Sequence, residues 1–498
     1  MTDMITRMGD DESSVARPAH PSRVRMAWLV VLLLVVVGGD SDAQDRPTLA
    51  KRVLPYVLVN EPLVALTHVR IIDGTGQPAR DDQTLIIQGT RITAVGAAGT
   101  VAVPAAARVL DLTGQTVIPG LVGMHEHTYF QTRSRLTPMS VSAPRLYLAN
   151  GVTTIRTAGG FFPYNEMNMQ RAIARGDQAG PRMHITGPYL NGGTGSILSL
   201  DRHLENAAEV RRVIAYWADE GATWLKFMAN ISRDLLAVGI AEAHKHGMKV
   251  TGHLCSVTFR EAAALGIDNL EHGFITDSDL VPGKQPDVCP TDNMKVQVGV
   301  DVEGPAVRES IAELVAHGVA VTSTQSVYEL FVPGRARLDP RALAALAPDE
   351  RRAVESSFAA LGTDSAEANL PLELFQKMQR YDHEFVRAGG LLVAGADPWG
   401  NGSLPGYADL RNFELFVESG FTAEQAIQIM SANGAKLLGE FAQRGSIEVG
   451  KVADLAVVRG NPVRTPADIY NMSIVFRDGI GYDSAKLIES VKGRVGMW

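Results

Sequence analysis

His125-Glu126-His127 follows the apolar run IPGLVGM (118–124). On a strand, residues two apart point to one face, so this spacing offers both imidazoles to a single metal ion. Alone, a H-x-H triplet is equally well explained as a pair of core or surface histidines. Four further residues give it weight. Lys226 lies at the end of TWLKFM, His253 at the end of KVTGHL, His272 at the end of DNLEHG and Asp397 at the end of LLVAGAD. Each stands at the C-terminal end of an apolar segment, where a barrel of parallel strands collects its catalytic side chains. Four imidazoles, a carboxylate and an amine on one mouth suit two divalent cations, zinc first and manganese or iron next. An ammonium there would repel the metals. A Lys226 carboxylated by carbon dioxide would instead be an anionic bridge, and the competing explanation is a lysine paired with a buried carboxylate. Tyr129 shares the face of His127, where it either donates to a substrate carbonyl or packs as an amphipathic ring.

The elements that must hold these residues are legible in the patterning. Residues 63–117 carry β-type runs (ALTHVRIID, TLIIQGTRITAVG, ARVLDLTGQTVI) separated by glycine turns, and GSIEVGKVADLAVV (445–458) has the same character. Between them, apolar strands at 120–127, 151–159, 183–188, 223–228, 249–254, 268–273, 319–324 and 391–397 alternate with helical text. Val210, Val213, Ile214 and Trp217, spaced i, i+3, i+4, i+7 before Gly221, mark one such helix. The expected fold is α/β, a (β/α)8 TIM barrel with a small β-sandwich built from both chain ends. The expected division is 1–43 signal peptide, 44–118 and 441–498 sandwich, and 119–440 barrel, with a helical, alanine-rich insertion over 335–380.

Composition narrows the partners. In 498 residues, 47 Lys and Arg stand against 55 Asp and Glu, a formal charge of −8 without a basic tract, which argues against nucleic acid. Met26–Val37 (MAWLVVLLLVVV) follows Arg17, Arg23 and Arg25 and precedes Ser41-Asp42-Ala43, the layout of a secretory leader cleaved before Gln44. It predicts passage through a membrane to a secreted or periplasmic location, an uncleaved anchor being the rival. The two cysteines, Cys255 and Cys289, are expected to be free, since nothing in the sequence brings them together. Two motifs mislead. Gly74–Ala79 matches G-x-G-x-x-A, but Pro78 and the β text TLIIQ leave no helix N-terminus for a pyrophosphate. Gly445–Lys451 matches G-x-x-x-x-G-K, but Val452 replaces the magnesium-binding hydroxyl, so both stretches are expected to be turns. No G-x-S-x-G occurs, which disfavours a serine hydrolase.

VIPGLVGMHEH, WLKFM, TGHL, LEHG, GADPWG and the closing GSIEVGKVADLAVV, in that order, resemble the amidohydrolase superfamily, near its imidazolonepropionase-like and Xaa-Pro or Xaa-Arg dipeptidase branch, which includes ochratoxin-hydrolysing enzymes. The resemblance implies that His125, His127 and Asp397 hold one metal, that His253 and His272 hold a second, and that N6-carboxylated Lys226 bridges two zinc ions. It implies hydrolysis of a small amide, dipeptide or N-acyl amino acid by a metal-bridging hydroxide, with Asp397 moving the proton and Lys226 and Tyr129 beside it. A mononuclear deaminase or cyclic amidase is the alternative. Such enzymes place a glutamate three residues after the His253 equivalent, where this chain has Ser256, and lack the lysine. Lactone or ester cleavage stays open, as does a homo-oligomer, while a scaffold without turnover fits poorly with a complete ligand set.

Overall fold

The computed structural model describes residues 46–132, 135–192, 200–363 and 369–497; the leader expected over 1–43 lies outside them. Strands from both ends of the chain meet in one nine-stranded sheet. Its order runs Val57–Val59, Ile480–Asp483, Met472–Arg477, Leu455–Arg459, Gln115–Pro119, Leu63–Ile71, Arg80–Gln88 and Arg91–Ala97, with Arg108–Asp111 also beside Leu63–Ile71. The seam is antiparallel, Val457 opposite Val117 and Leu455 opposite Pro119. Alternate residues of these strands (Val64, Leu66, Leu85, Ile87, Val117, Val457) form one apolar layer, as period-2 side chains require. The C-terminal β text is strand only from Leu455; Gly445 and Gly450 have positive φ and the Gly445–Lys451 stretch is turn, as is Gly74–Ala79.

Among the described residues, the middle of the chain carries eight successive parallel strands, with helices between most of them, and a two-residue strand, Arg202–His203, paired in parallel beside the third. Leu121–Glu126, Val152–Thr157 and Arg182–His184 form one ladder; Thr186–Asn191, Trp224–Phe227, Lys249–Gly252, Asn269–Glu271, Ala320–Ser323 and Leu392–Ala394 continue in a second. The third strand changes partners at Ile185. Its first half pairs with Val152–Thr157, while the Ile185 carbonyl accepts from Thr223 at 2.9 Å and its second half pairs with Trp224–Phe227. The first and last strands approach each other, the Asp397 N–H donating to the His125 carbonyl at 2.9 Å. Gly395 permits that approach, because a Cβ there would stand 2.3 Å from His125 Cβ.

Helix Ala207–Glu220 shows how local sequence sets an element. Asn206 caps it by accepting from the Glu209 N–H, Val210 and Ile214 are buried, and Gly221 ends it at φ 97°. The alanine-rich insertion folds as Pro340–Ala345, Pro348–Ala359 and Leu372–Arg387. Phe227, Phe259, Phe413 and Phe416, all 0% exposed, are among the large core side chains, each contributing about 1.5–3 kcal/mol by leaving water.

One expectation is overturned. Cys255 and Cys289 form a disulfide, their Cα atoms 4.9 Å apart. The segment after His272 folds back over the loop that follows His253, where Ser278 Oγ donates to the Cys255 carbonyl at 2.8 Å. This long-range return, invisible in a spacing of 34 residues, makes the pair. No helix among the described residues is long and apolar enough to cross a membrane.

Candidate metal centre

The six predicted ligands come together. The donor atoms of His125, His127 and Asp397 all lie within 4.8 Å of one another, with Asp397 Oδ1 3.0 Å from His127 Nε2 and 3.5 Å from His125 Nε2. The His272 ring stands 4.7 Å from that of His125 and 4.6 Å from that of His253, and His272 Nδ1 is 4.0 Å from Asp397 Oδ2. Lys226 is 1% exposed, with Nζ 3.9 Å from Glu271 Oε1. Five of them come from the C-terminal end of a parallel strand or the residue just beyond it, and Asp397 stands three residues past the end of Leu392–Ala394.

Two of these residues hold a backbone conformation that L-residues seldom take: His272 has φ 69° and Asp397 φ 48°. Such strain costs on the order of 1–3 kcal/mol and persists where function fixes the geometry. Gly159, at φ 86°, makes room beside Lys226: a Cβ there would meet the Tyr189 ring at 2.8 Å and Lys226 Cβ at 3.2 Å.

The charges favour bare donors. Burial, reinforced by Lys226, brings the His125 imidazole down to about 4 and that of His253 to about 3. Burial and then His253 hold His272 well below its ordinary value. Neutral imidazoles keep a lone pair for a cation. Burial alone would raise the Asp397 carboxyl, but His125 and His127 outweigh it and keep Asp397 ionised far below the usual carboxylate range. Burial brings the Lys226 ammonium down to about 8 against the pull of Glu271. The donor set, two imidazoles and a carboxylate with two more imidazoles adjacent, fits a borderline divalent ion such as zinc.

Sequence reasoning missed the groups that orient these ligands. Glu271, 0% exposed, accepts from His125 Nδ1 at 2.7 Å, which turns Nε2 toward Asp397. Arg156, also 0% exposed, donates to Glu271 Oε1 at 2.6 Å and to Asn269 Oδ1 at 2.9 Å. Against burial, Arg156 and Lys226 keep the Glu271 carboxyl well below its ordinary value. The competing explanation of Lys226, a buried carboxylate partner, is thus present in the same pocket as the metal donors. Glu271 and Arg156 carried a signal after all: a charge inside an otherwise apolar parallel strand must have a partner. Behind the His125–His127 face, the Tyr147 hydroxyl donates to the His127 carbonyl at 2.8 Å and accepts from its N–H at 3.2 Å. There, burial pushes the Glu126 carboxyl well up and Asp409 up to about 6.

Tyr129 is buried, its hydroxyl 2.7 Å from that of Tyr189 and its ring 4.8 Å from His127. Burial raises both phenols well above their ordinary value, so they remain hydrogen-bond donors. Two glycine-rich stretches, 189–196 and 398–406, follow barrel-type strands, and the first lies outside the described residues from Gly193 onward. In the other, the Trp399 N–H donates to the Asp397 carbonyl at 2.9 Å.

Residues 116–480 match the model of the amidohydrolase family. No curated protein sequence matches the chain. Among solved structures, a bottromycin amidohydrolase is similar at 18% identity and a TM-score of 0.66, covering 88% of this chain and 93% of that one. A Xaa-Pro dipeptidase with bound methionine matches at 20% identity and a TM-score of 0.61, covering 84% of this chain and 100% of the other. The ochratoxinase of A. niger matches at 17% identity and a TM-score of 0.57, over 84% and 95% of the two chains. At these identities the likeness is one of fold.

Proposed function

The chain belongs to the amidohydrolase family and is a hydrolase of that family; from this premise we propose that it hydrolyses the C–N bond of a small amide, a dipeptide or N-acyl amino acid, with two divalent metal ions, zinc foremost. The observation that carries the proposal is the convergence of His125, His127 and Asp397 within 4.8 Å, with His253, His272 and Lys226 around them. In this reading His125, His127 and Asp397 would hold one ion and His253 and His272 the other, with Lys226, as its N6-carboxylated form, supplying an anionic ligand to the pair. A lysine brought down to about 8 has a substantial neutral fraction near neutral pH, the form that reacts with carbon dioxide. Bound divalent ions supply Lewis acidity and a water acidic enough to ionise near pH 7.

The chain's own residues do the rest. Glu271 fixes the tautomer and aim of His125. Asp397 takes the proton from water and returns it to the amine nitrogen, which leaves poorly without it. The Tyr129–Tyr189 hydroxyl pair offers a proton to the scissile carbonyl, whose oxygen gains charge as the tetrahedral centre forms. The eight parallel strands are taken to close as a (β/α)8 barrel over 119–440, and the terminal sheet to be the β-sandwich of 44–118 and 441–498. The disulfide supports export, since such bonds persist in oxidising compartments.

Metal analysis together with a substrate screen tests this. Zinc-loaded protein should hold about two ions per chain and cleave N-acyl amino acids or dipeptides in preference to esters and lactones. One ion per chain with release of ammonia from a heterocycle would replace the reading by the mononuclear deaminase.

A further inference from the structure

Beside the metal donors, one buried hydroxyl has given up its ordinary local partner. Thr324 stands at the N-cap of helix Gln325–Glu329, where a threonine oxygen commonly accepts from a backbone N–H of the first turn. Here it makes no such bond. Its Oγ1 lies 2.8 Å from His272 Nδ1 instead, and both side chains are buried.

The turn that carries Thr324 is fixed from both sides. Ser323 Oγ and Gln325 Nε2 donate to Oδ2 of the buried Asp382, at 2.6 and 2.8 Å, and the Ser326 N–H donates to Asn412 Oδ1 at 2.8 Å. One helical turn on, Tyr328 sets its ring edge-on to that of His272, 5.6 Å between centroids. The His272 N–H donates to the Thr322 carbonyl at 2.9 Å while the residue holds φ 69°. Backbone and ring of this ligand are thus both gripped by residues 322–328.

Only one nitrogen of an imidazole can face a cation, and the bond made by the other decides which. With Nδ1 engaged by Thr324, Nε2 is the atom left to ligate, and Nδ1 then carries the proton that Oγ1 accepts. Glu271 does this for His125 with a charge, whereas Thr324 does it without one. Among the described residues no side-chain hydrogen bond reaches the His253 ring, so Thr324 is what orients this pair of imidazoles.

We propose that Thr324 is a positioning residue for the second metal ion: its hydroxyl selects the His272 tautomer and aims Nε2, and its removal weakens that ion alone. This rests on the two-ion reading above.

The test titrates zinc into the metal-free full chain in carbonate-containing buffer and reads both affinities by chelator competition. Thr324→Val keeps the shape of the side chain without the hydroxyl, and Thr324→Ser keeps the hydroxyl. The valine variant should bind the second ion about tenfold more weakly and the first within about twofold of wild type, and the serine variant should bring the second back to within about threefold. Wild-type affinity for the second ion in Thr324→Val overturns the proposal. So does an equal loss at both ions, which marks a general loss of packing, or a serine variant no better than valine. Should Thr324→Val fail to fold, Thr324→Ala is held to the same outcomes. If the wild type binds a single ion, the two-ion reading falls on its own and that ion judges Thr324: the proposal stands if Thr324→Val weakens it and Thr324→Ser restores it, and falls otherwise.

Discussion

Glu271→Gln isolates the buried charge that organises the metal centre. The carboxylate is fully buried, 2.6 Å from Arg156 and 2.7 Å from His125 Nδ1, with Lys226 Nζ at 3.9 Å. Breaking a buried ion pair from one side costs about 3–5 kcal/mol, because the surviving charge stays desolvated. Arg156 keeps Asn269 Oδ1 at 2.9 Å and the Met124 carbonyl as neutral acceptors, which places the expected loss near the lower end, about 3 kcal/mol. Glutamine still accepts from His125, so metal affinity should fall by about tenfold rather than the hundredfold expected of alanine. Chemical denaturation of the metal-free protein measures the first quantity and chelator competition the second. The sign with pH is fixed: a carboxyl held below its unfolded value stabilises above about pH 4.3 and loses that contribution as pH falls. The gap between wild type and variant should therefore close in acid. A variant within about 1 kcal/mol of wild type at pH 7, or a gap that stays constant into acid, would refute the claim that Glu271 is ionised and paired.

Asp397→Asn should retain bound metal through His125 and His127 while kcat falls by about 10²–10⁴, read by metal analysis beside turnover; near-normal kcat removes Asp397 from proton transfer. Metal-free protein in carbonate-free buffer should gain about 3 kcal/mol between pH 8 and 10.5, because the unfolded chain there binds a proton that Lys226, lowered to about 8, has released. Lys226→Met should abolish that rise in a pH series of denaturation curves. Cys255→Ser should cost about 2–4 kcal/mol, and the wild-type chain should label with no thiol reagent until reduced.

The strands and the metal donors were legible because both obey local rules. Apolar runs ending in His, Lys or Asp must be strands whose polar tip meets a mouth, and the eight segments recur at nearly the residues read from the sequence. What escaped is what depends on pairing across the chain. Arg156, Asn269 and Glu271 stand 113 and 115 residues apart as partners, and no window on the sequence joins them. The disulfide escaped for the same reason. The change of partners at Ile185 was hidden because MHITGP reads as one strand whichever neighbour each half takes.

The left-handed backbones of His272 and Asp397 bear on how this protein can be altered. A library selected only for heat resistance would favour glycine or asparagine at both positions, since either residue relaxes the main chain there. Such a selection would trade ligands for comfort and return robust, inert proteins. Positions 272 and 397 should be held fixed in any stabilisation campaign, and natural variation there would mark chains that have kept the scaffold and abandoned the chemistry.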